Sequence, residues 1–416
     1  MGEDLCNLIK SVFENLIKIE TINNMFIALI PKVEPVTFMK HFCPISLCNV
    51  SYNILSKIIT LRLRREMEEL VNPCLSSFIP NRRMGDNVII AQEVIHSMKH
   101  KKGNSGWMAI KVDLEKVYDR LKWRFVTDTL KDIVFHEKFI HLIHYSISSS
   151  REQILWNGEA LERFKPYKGV RQGDPISPYL FVLCIECLFH LINFVVDQKA
   201  WTPIQLARGG PKLSHLAFTD DLLLFSEASI SQANTIKKVL DTFCASSGQK
   251  VNYEKTRIYF LGNVHWLNRN LIVQQLGYQG TPDLGKYLGV PLHHQKANAQ
   301  SFRFIIDKLE QRLSCWKDKS LSFAGRLTLN KVVIQAMPTY IMQTNSIPES
   351  VCKDIVKYRN FIWGDSQNSR KVHWLNKKDT CKPKKYGSLG TRMASTMNQA
   401  CMLKAGWNLC TKPNDL

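Results

Sequence analysis

The stretch LAFTDDLLLF, residues 216–225, places two adjacent aspartates inside an apolar run. Carboxylates are rarely buried unless they are paired, hydrogen-bonded or bound to a metal ion. Two neighbouring carboxylates also repel each other, so one of them tends to stay protonated without a cation. Asp220 and Asp221 therefore lie either in a tight turn open to water or at a metal site. The flanking residues predict a strand, a turn and a second strand, with both aspartates at or near the tip.

A third carboxylate ends another predicted strand. In MAIKVDLEKVYDRLKWRFV, residues 108–126, the apolar residues first alternate and then, from Lys116 onward, follow a helical spacing. Asp113 thus stands near the end of a strand that feeds a helix. If this strand neighbours the 216–225 hairpin, three carboxylates converge, and such hard oxygen ligands suit Mg²⁺. Two ions about 3.5–4 Å apart would serve nucleotidyl transfer. By itself, however, a pair of aspartates is more typical of a surface turn.

The composition indicates a globular protein with an anionic partner. The chain has 416 residues, of which 45% are hydrophobic and 22% charged, enough for two or three domains. Lys and Arg number 56 against 36 Asp and Glu, so the formal net charge is +20. This excess favours nucleic acid first and an anionic membrane surface second. The apolar spacing predicts a short strand over 26–32 and helices over 3–22, 51–71, 84–99, 179–196, 301–316 and 322–336.

We expect neither a membrane span nor secretion. The longest apolar run, 179–192, contains Glu186 and is shorter than the roughly 18–20 residues that a span needs. The first residues lack the basic and then apolar layout of a signal peptide. Twelve cysteines occur without a disulfide framework, and the lone C-x-x-C of Cys184 and Cys187 is better interpreted as buried reduced thiols than as a zinc site. This usage indicates an intracellular protein.

Three segments, in this order, resemble the palm motifs of reverse transcriptases: IKVDLEKVYDRLKW (110–123), GVRQGDPISPYLFVLCIECL (169–188) and LAFTDDLLLF. The pattern is most similar to the non-LTR retrotransposon type, the LINE-like elements abundant in plants. Five further blocks agree in collinear order: FCPISLCNVSYNILSKIITLRL (42–63), SFIPNRRMGDNVIIAQEVIH (77–96), SSGQKVNYEKT (246–256), KYLGVPL (286–292) and WKDKSLSFAGRLTLNKVVIQAMPTYIM (316–342). The resemblance covers nearly all of the chain.

The resemblance implies an α+β fold of the right-hand polymerase type. Fingers and palm would occupy residues 1–292, with a small antiparallel palm sheet that carries Asp113 and the hairpin. A helical thumb would occupy 293–362, and 363–416 would be a basic, truncated C-terminal segment. Because elements of this type usually encode an endonuclease before the polymerase and further domains after it, we expect a fragment of a decayed element.

The resemblance also implies the roles of the central residues. Asp113 and Asp220 would bind two Mg²⁺ ions, and Asp221 would assist. Tyr118 would stand against the sugar C2′ and favour dNTPs over ribonucleotides. The alternative for Tyr118 is packing at the strand-to-helix junction, and both interpretations can hold together.

Other matched positions would bind the substrates. Gln172 and Gly173 belong to the segment that contacts the incoming nucleotide and the template, with an ordinary turn as the alternative. Lys32 would contact the triphosphate, and Lys255 would be the general acid for the pyrophosphate leaving group; each could instead be a solvated lysine. The turn that holds the primer 3′ end would comprise Tyr287, Leu288 and Gly289.

Two positions depart from the family pattern. The fingers motif usually begins with arginine, and here it is Cys43-Pro44-Ile45-Ser46-Leu47, so a neutral thiol replaces a guanidinium that would pair with phosphate oxygens. We expect this change to cost ~2–4 kcal/mol of transition-state stabilisation. Thr219 replaces the usual alanine before the aspartates, and we expect a milder effect because threonine fits a strand.

Two functions remain open from the sequence. The first is RNA-directed DNA synthesis with two Mg²⁺ ions, dNTPs, an RNA template and a DNA primer, in the nucleus or the cytoplasm and without a membrane partner. The alternative is a catalytically impaired nucleic-acid-binding remnant of such an element, which Cys43 and the expected truncation favour. A basic globular protein with unrelated turns would require all the collinear blocks to arise by coincidence. The oligomeric state is not determined.

Overall fold

The computed structural model describes residues 2–101, 106–292, 298–317, 321–364, 371–376 and 379–411. The chain divides into two compact units. The first comprises Met1–Asn87 and His96–Leu284, and the second comprises Val88–Ile95 and Gly285–Leu416. The division of the chain into fingers, palm, thumb and a C-terminal segment stays a prediction.

The first unit contains the larger sheets. Its helices are α1 (Gly2–Glu14), α2 (Ile19–Ile22), α3 (Val50–Leu70), α4 (Met84–His100, whose middle belongs to the second unit), α5 (Val117–Arg120), α6 (Trp123–Asp132), α7 (Glu137–Ser148), α8 (Ser177–Asp197), α9 (Ile230–Ser247) and α10 (Trp266–Leu276). Its strands are β1 (Asn24–Pro31), β2 (Phe42–Cys48), β3 (Trp107–Val112), β4 (Arg151–Trp156), β5 (Glu159–Ala160), β6 (Ile204–Gln205), β7 (Lys212–Leu213), β8 (His215–Phe218), β9 (Asp221–Glu227), β10 (Arg257–Phe260) and β11 (Gln279–Thr281).

The second unit is mainly helical. It contains the short strands β12 (Lys286–Tyr287) and β13 (Val290–Pro291) and the helices α11 (Arg303–Lys317), α12 (Phe323–Leu329), α13 (Ala336–Met342), α14 (Glu349–Lys357) and α15 (Ala394–Thr411). The helix predicted over 322–336 continues further, because a π-helical turn at Asn330–Ile334 joins α12 to α13.

The sheet of five strands has the order β11-β10-β3-β9-β8. Its pairs are antiparallel except β10 with β11. The central strands are apolar because both of their faces are covered, and Ile110 and Val112 of β3 are buried. Helix α8 packs on the sheet where the Phe189 ring stacks on the His215 ring, with centroids 4.5 Å apart. The predicted small, mainly antiparallel sheet is therefore present.

The other larger sheet has the order β2-β1-β4-β5. Strand β1 pairs antiparallel with β2 and parallel with β4. The strand predicted over 26–32 is β1. The helix predicted over 3–22 is interrupted after Glu14, because the Asn15 side chain accepts a hydrogen bond from the Ile17 N–H and starts a new turn.

Helix α8 extends beyond the helix predicted over 179–196 at both ends. It spans 21 residues and, by length and composition, is the one helix among the described residues that could cross a membrane. The apolar run 179–192 is shorter than a membrane span, but the helix extends beyond that run at both ends. More than half of its most apolar window is buried inside the protein, and the core helix of a globular protein has the same character.

Candidate active site

The sheet register brings the three aspartates to one edge. Phe218 pairs with Asp221, so Thr219 and Asp220 form a two-residue turn between β8 and β9. Strand β3 runs antiparallel to β9, with Val112 opposite Leu222. Asp113 follows Val112 directly and therefore comes beside Asp221. Hydrogen-bonded pairing thus joins carboxylates that are more than 100 positions apart in the sequence.

The three carboxylates affect one another electrostatically. Burial raises the pKa of Asp220, and the Asp113 carboxylate raises it further. Burial also raises the pKa of Asp221; Lys111 opposes this change, and the other two aspartates add to it. A divalent cation would relieve this repulsion, so the donor set fits a hard metal ion. Within the part of the chain that the structure describes, no three His, Cys, Asp or Glu side chains already form a ready metal-binding group.

The segment 250–256 holds Asp113 in place. The Asp113 N–H donates to Thr256 Oγ1 at 3.2 Å, and the Asp113 carbonyl accepts from the Asn252 N–H at 2.8 Å. Lys255 is exposed on the same segment, and its N–H donates to Asn252 Oδ1 at 3.2 Å. The structure therefore places Lys255 next to the residue that supports Asp113.

Tyr118 lies on α5, directly after the strand that leads to Asp113. Its ring contacts the Phe181 ring, with centroids 5.7 Å apart. Burial, with a smaller contribution from the Asp220 charge, raises the pKa of Tyr118 to about 12. Tyr118 thus packs at the strand-to-helix junction and also lies near the carboxylates, so its two interpretations are compatible.

The loop that contains Gln172 and Gly173 packs against β2. The Gln172 carbonyl accepts from the Ser46 N–H at 2.8 Å. Gly173 has a φ of +111°, and a Cβ atom there would lie 3.1 Å from the Ser46 carbonyl oxygen. The position therefore requires glycine. Cys43, which replaces the expected arginine, donates from Sγ to Gln172 Oε1 at 3.3 Å.

A buried ion pair, which the sequence patterns did not predict, frames this loop. Arg171 and Asp174 are almost completely buried, and Nη1 of Arg171 lies 3.4 Å from Oδ2 of Asp174. The Tyr52 hydroxyl donates to the same oxygen at 3.0 Å, and the Ser56 hydroxyl donates to Oδ1. The opposite charges three positions apart were a signal for this pair, but charged residues are normally expected at the surface.

Lys32 follows β1 and is exposed. Its N–H donates to the His41 carbonyl at 2.8 Å. Burial raises the pKa of Asp119, and the charges of Lys116 and Lys32 oppose that change. The Lys32 ammonium therefore lies near α5, the helix that carries Tyr118.

The second unit contains the predicted turn at KYLGVPL. Tyr287 pairs with Val290, and the two residues between them, Leu288 and Gly289, have φ values of +49° and +79°. Positive φ at both positions is typical of a type I′ hairpin turn. The Tyr340 hydroxyl donates to the Leu288 carbonyl at 2.7 Å and holds the turn.

The reason given for Thr219, that threonine fits a strand, was wrong, and the milder effect of this replacement stays a prediction. Thr219 does not lie in a strand but occupies the first position of the turn between β8 and β9, with a φ of +56°. A β-branched side chain rarely adopts this left-handed conformation. The pairing of Phe218 with Asp221 leaves only two residues for the turn, and Thr219 must be one of them.

A family model described as "Reverse transcriptase (RNA-dependent DNA polymerase)" matches residues 30–292. The chain belongs to the reverse transcriptase family. Its membership, together with the sheet that carries the aspartates, confirms the α+β right-hand polymerase fold.

Several curated proteins are similar to this reverse transcriptase chain. A putative ribonuclease H protein of Arabidopsis thaliana is 38% identical over 128 residues, 30% of this chain and 21% of the relative. The uncharacterized 149 kDa protein of transposon TX1 of Xenopus laevis is 25% identical over 370 residues, 88% and 27% of the two chains. The Pol polyprotein of the type-2 retrotransposable element R2DM of Drosophila melanogaster is 30% identical over 227 residues, 54% and 20%. The chain thus spans only a minor part of each relative.

Proposed function

We propose that this chain is an RNA-directed DNA polymerase of a plant non-LTR retrotransposon. It would transfer dNTPs onto the 3′-hydroxyl of a DNA primer annealed to an RNA template. The observation that carries the proposal is the convergence of Asp113, Asp220 and Asp221 at one sheet edge in a member of the reverse transcriptase family. The similarity to retrotransposon proteins supports the element type, and the Arabidopsis relative supports the plant origin.

The aspartates would hold the metal ions. Asp113 and Asp220 would bind two Mg²⁺ ions, with Asp221 assisting. When bound, these ions supply Lewis-acid stabilisation of the attacking hydroxyl and of the leaving phosphate oxygen. The carboxyl groups must first lose their protons. Because burial and mutual repulsion raise the pKa values of Asp220 and Asp221, metal affinity should fall in mild acid sooner than it does for exposed aspartates.

The remaining residues would position the substrates. The Tyr118 ring would exclude a ribose 2′-hydroxyl, and Gln172 would contact the incoming nucleotide beside the Gly173 backbone. Lys32 would bind the triphosphate, and Lys255 would donate a proton to the departing pyrophosphate. The turn of Tyr287, Leu288 and Gly289 would hold the primer 3′ end.

Cys43 favours a second candidate function. The thiol contacts the side chain of Gln172, where the family pattern has a guanidinium for phosphate binding. A neutral group at this point would weaken triphosphate binding and leave nucleic-acid binding unaffected. The second candidate is therefore a catalytically impaired, nucleic-acid-binding remnant.

Primer extension distinguishes these functions. We expect Mg²⁺-dependent incorporation of dNTPs on an RNA template with an annealed DNA primer, and no incorporation by Asp220→Asn. Cys43→Arg should raise the rate, because the arginine would lower the activation free energy by ~2–4 kcal/mol. Equal rates for wild type and Cys43→Arg would show that the thiol is tolerated.

The absence of incorporation in both the wild type and Cys43→Arg, with RNA binding intact, would contradict polymerase activity and support the remnant.

A nuclear or cytoplasmic location without a membrane partner is part of the same proposal and rests on the family alone. Fluorescence microscopy of a tagged full-length chain would test it.

A further inference from the structure

The turn that carries Asp220 is strained at its first residue. Thr219 has a φ of +56°, which β-branched residues rarely adopt. Such a backbone conformation persists only where the surrounding structure holds it. The orientation of Asp220, the next residue, depends on how firmly Thr219 is held.

The contacts that hold this turn come from residues 74–77, which we call the support segment. It follows α3 and lies along β8. The Thr219 N–H donates to Ser77 Oγ at 2.9 Å, and Ser77 is completely buried. The Ala217 N–H donates to the Cys74 carbonyl at 2.9 Å. Hydrogen bonds from the support segment thus hold the hairpin at Ala217 and at Thr219.

Arg82 holds Leu75 of the support segment and the residues that lead into this segment. Its guanidinium donates to the carbonyl oxygens of Val71 at 2.8 Å, Asn72 at 2.6 Å and Leu75 at 2.6 Å. A planar guanidinium offers its donors in a rigid fork, so its bonds to three backbone acceptors together fix the position of residues 71–75. Lysine offers the same charge without this fork.

We propose that Ser77 and Arg82 are positioning residues for the catalytic turn. Ser77 holds Thr219 so that Asp220 faces Asp113, and Arg82 holds the segment on which Ser77 lies. The inference rests on the proposed function, because it takes Asp113 and Asp220 to share metal ions. A purely structural role predicts a different result, namely lower stability with unchanged metal affinity of the folded protein.

Metal affinity measured without catalysis tests the inference. Mn²⁺ is titrated into the purified full-length chain, and the free ion is followed by electron paramagnetic resonance. The binding that Asp220→Asn abolishes reports the carboxylate site. For Ser77→Ala we expect that affinity to fall about tenfold, the usual effect of losing a residue that orients a metal ligand. Ser97→Ala is the matched control. Ser97 is buried, as Ser77 is, and its hydroxyl also makes a hydrogen bond to the backbone, because it donates to the Leu206 carbonyl at 2.9 Å.

Two further variants separate positioning from stability. Arg82→Lys should also lower Mn²⁺ affinity. If Ser77→Ala does not fold, Arg82→Lys tests the inference in its place. Thr219→Asn places a residue that tolerates the left-handed conformation in the turn. In that background Ser77→Ala should lower the Mn²⁺ affinity much less, because the residue at position 219 adopts the left-handed conformation with less strain. A purely structural role would leave the Mn²⁺ affinity of the folded protein unchanged in both backgrounds.

The outcomes are distinct. Wild-type Mn²⁺ affinity in folded Ser77→Ala and Arg82→Lys would overturn the inference and leave the proposed function intact. Unchanged Mn²⁺ binding in Asp220→Asn would overturn the metal site and the inference together. If Asp220-dependent Mn²⁺ binding is present but primers are not extended, polymerase activity fails while the Ser77 comparison still decides the inference.

Discussion

At the scale of single residues, the electrostatic environment of a side chain matters more than its type. Glu186 lies on α8 and is only 5% exposed. Burial raises its pKa to about 7, although the Asn72 backbone and the Arg82 charge favour the carboxylate. Asp220, also acidic, lies in the turn between β8 and β9 beside two other aspartates. The buried Glu186 carboxyl group thus has a pKa of about 7, whereas the three aspartates lie where a cation can reach them.

Stability should depend on pH through Glu186. Its folded pKa exceeds its unfolded value, so the folded state binds more protons between about pH 4.5 and 7, and the free energy of unfolding falls as pH rises through this window. The full change is ~3 kcal/mol. Urea unfolding at pH 5, 6, 7 and 8 measures this dependence. In Glu186→Gln the free energy of unfolding should fall less between pH 5 and 8 than it does in the wild type. An unchanged slope would contradict the assignment, and the exposed Glu254→Gln is the control.

At the scale of elements, the conformation of the loop between β5 and α8 depends on the buried side chains that it packs on. The Arg171 guanidinium lies over the Tyr52 ring, with 4.4 Å between its central carbon and the ring centroid, and it pairs with Asp174. The segment between these charges contains Gln172 and Gly173. A buried ion pair adds little net stability by itself, but the loss of one partner leaves an uncompensated charge. The loop conformation therefore depends on both charges together.

Asp174→Asn should destabilise the protein by ~3–5 kcal/mol, because the Arg171 charge would stay buried without its partner. Asp128→Asn is the matched control, since Asp128 pairs with Arg124 at 3.6 Å on the exposed surface of α6. Its loss should cost less than ~1 kcal/mol. Urea unfolding measures both, and equal losses would refute the structural role of the buried pair.

At the scale of the whole molecule, the net charge of +20 favours binding to polyanions. A protein that neutralises phosphates releases counterions, so its affinity for RNA depends steeply on salt. The same charge would also attract an anionic membrane surface. The two polyanions differ in what they can contact, because only RNA offers bases and a regular backbone.

RNA binding should weaken by at least ~100-fold between 50 and 200 mM salt. Filter binding with a single-stranded RNA measures this slope. Asp220→Asn should leave it unchanged, because in the proposed function the three aspartates would contact metal ions rather than RNA. Vesicles rich in phosphatidylserine serve as the competitor. Preference for vesicles over RNA at equal anionic charge would contradict a nucleic-acid partner.

Local patterns by themselves determined much of this reverse transcriptase. The alternation before Asp113 and the apolar arms of LAFTDDLLLF predict strands, because period and polarity are properties of neighbouring residues. They also place the aspartates at strand ends. Only the tertiary structure decided that Asp113 comes beside Asp221, that Ser77 holds Thr219 in the left-handed region, and that Arg171 and Asp174 are buried together. Register, turn support and buried pairing join residues far apart in the chain, so no local pattern contains them.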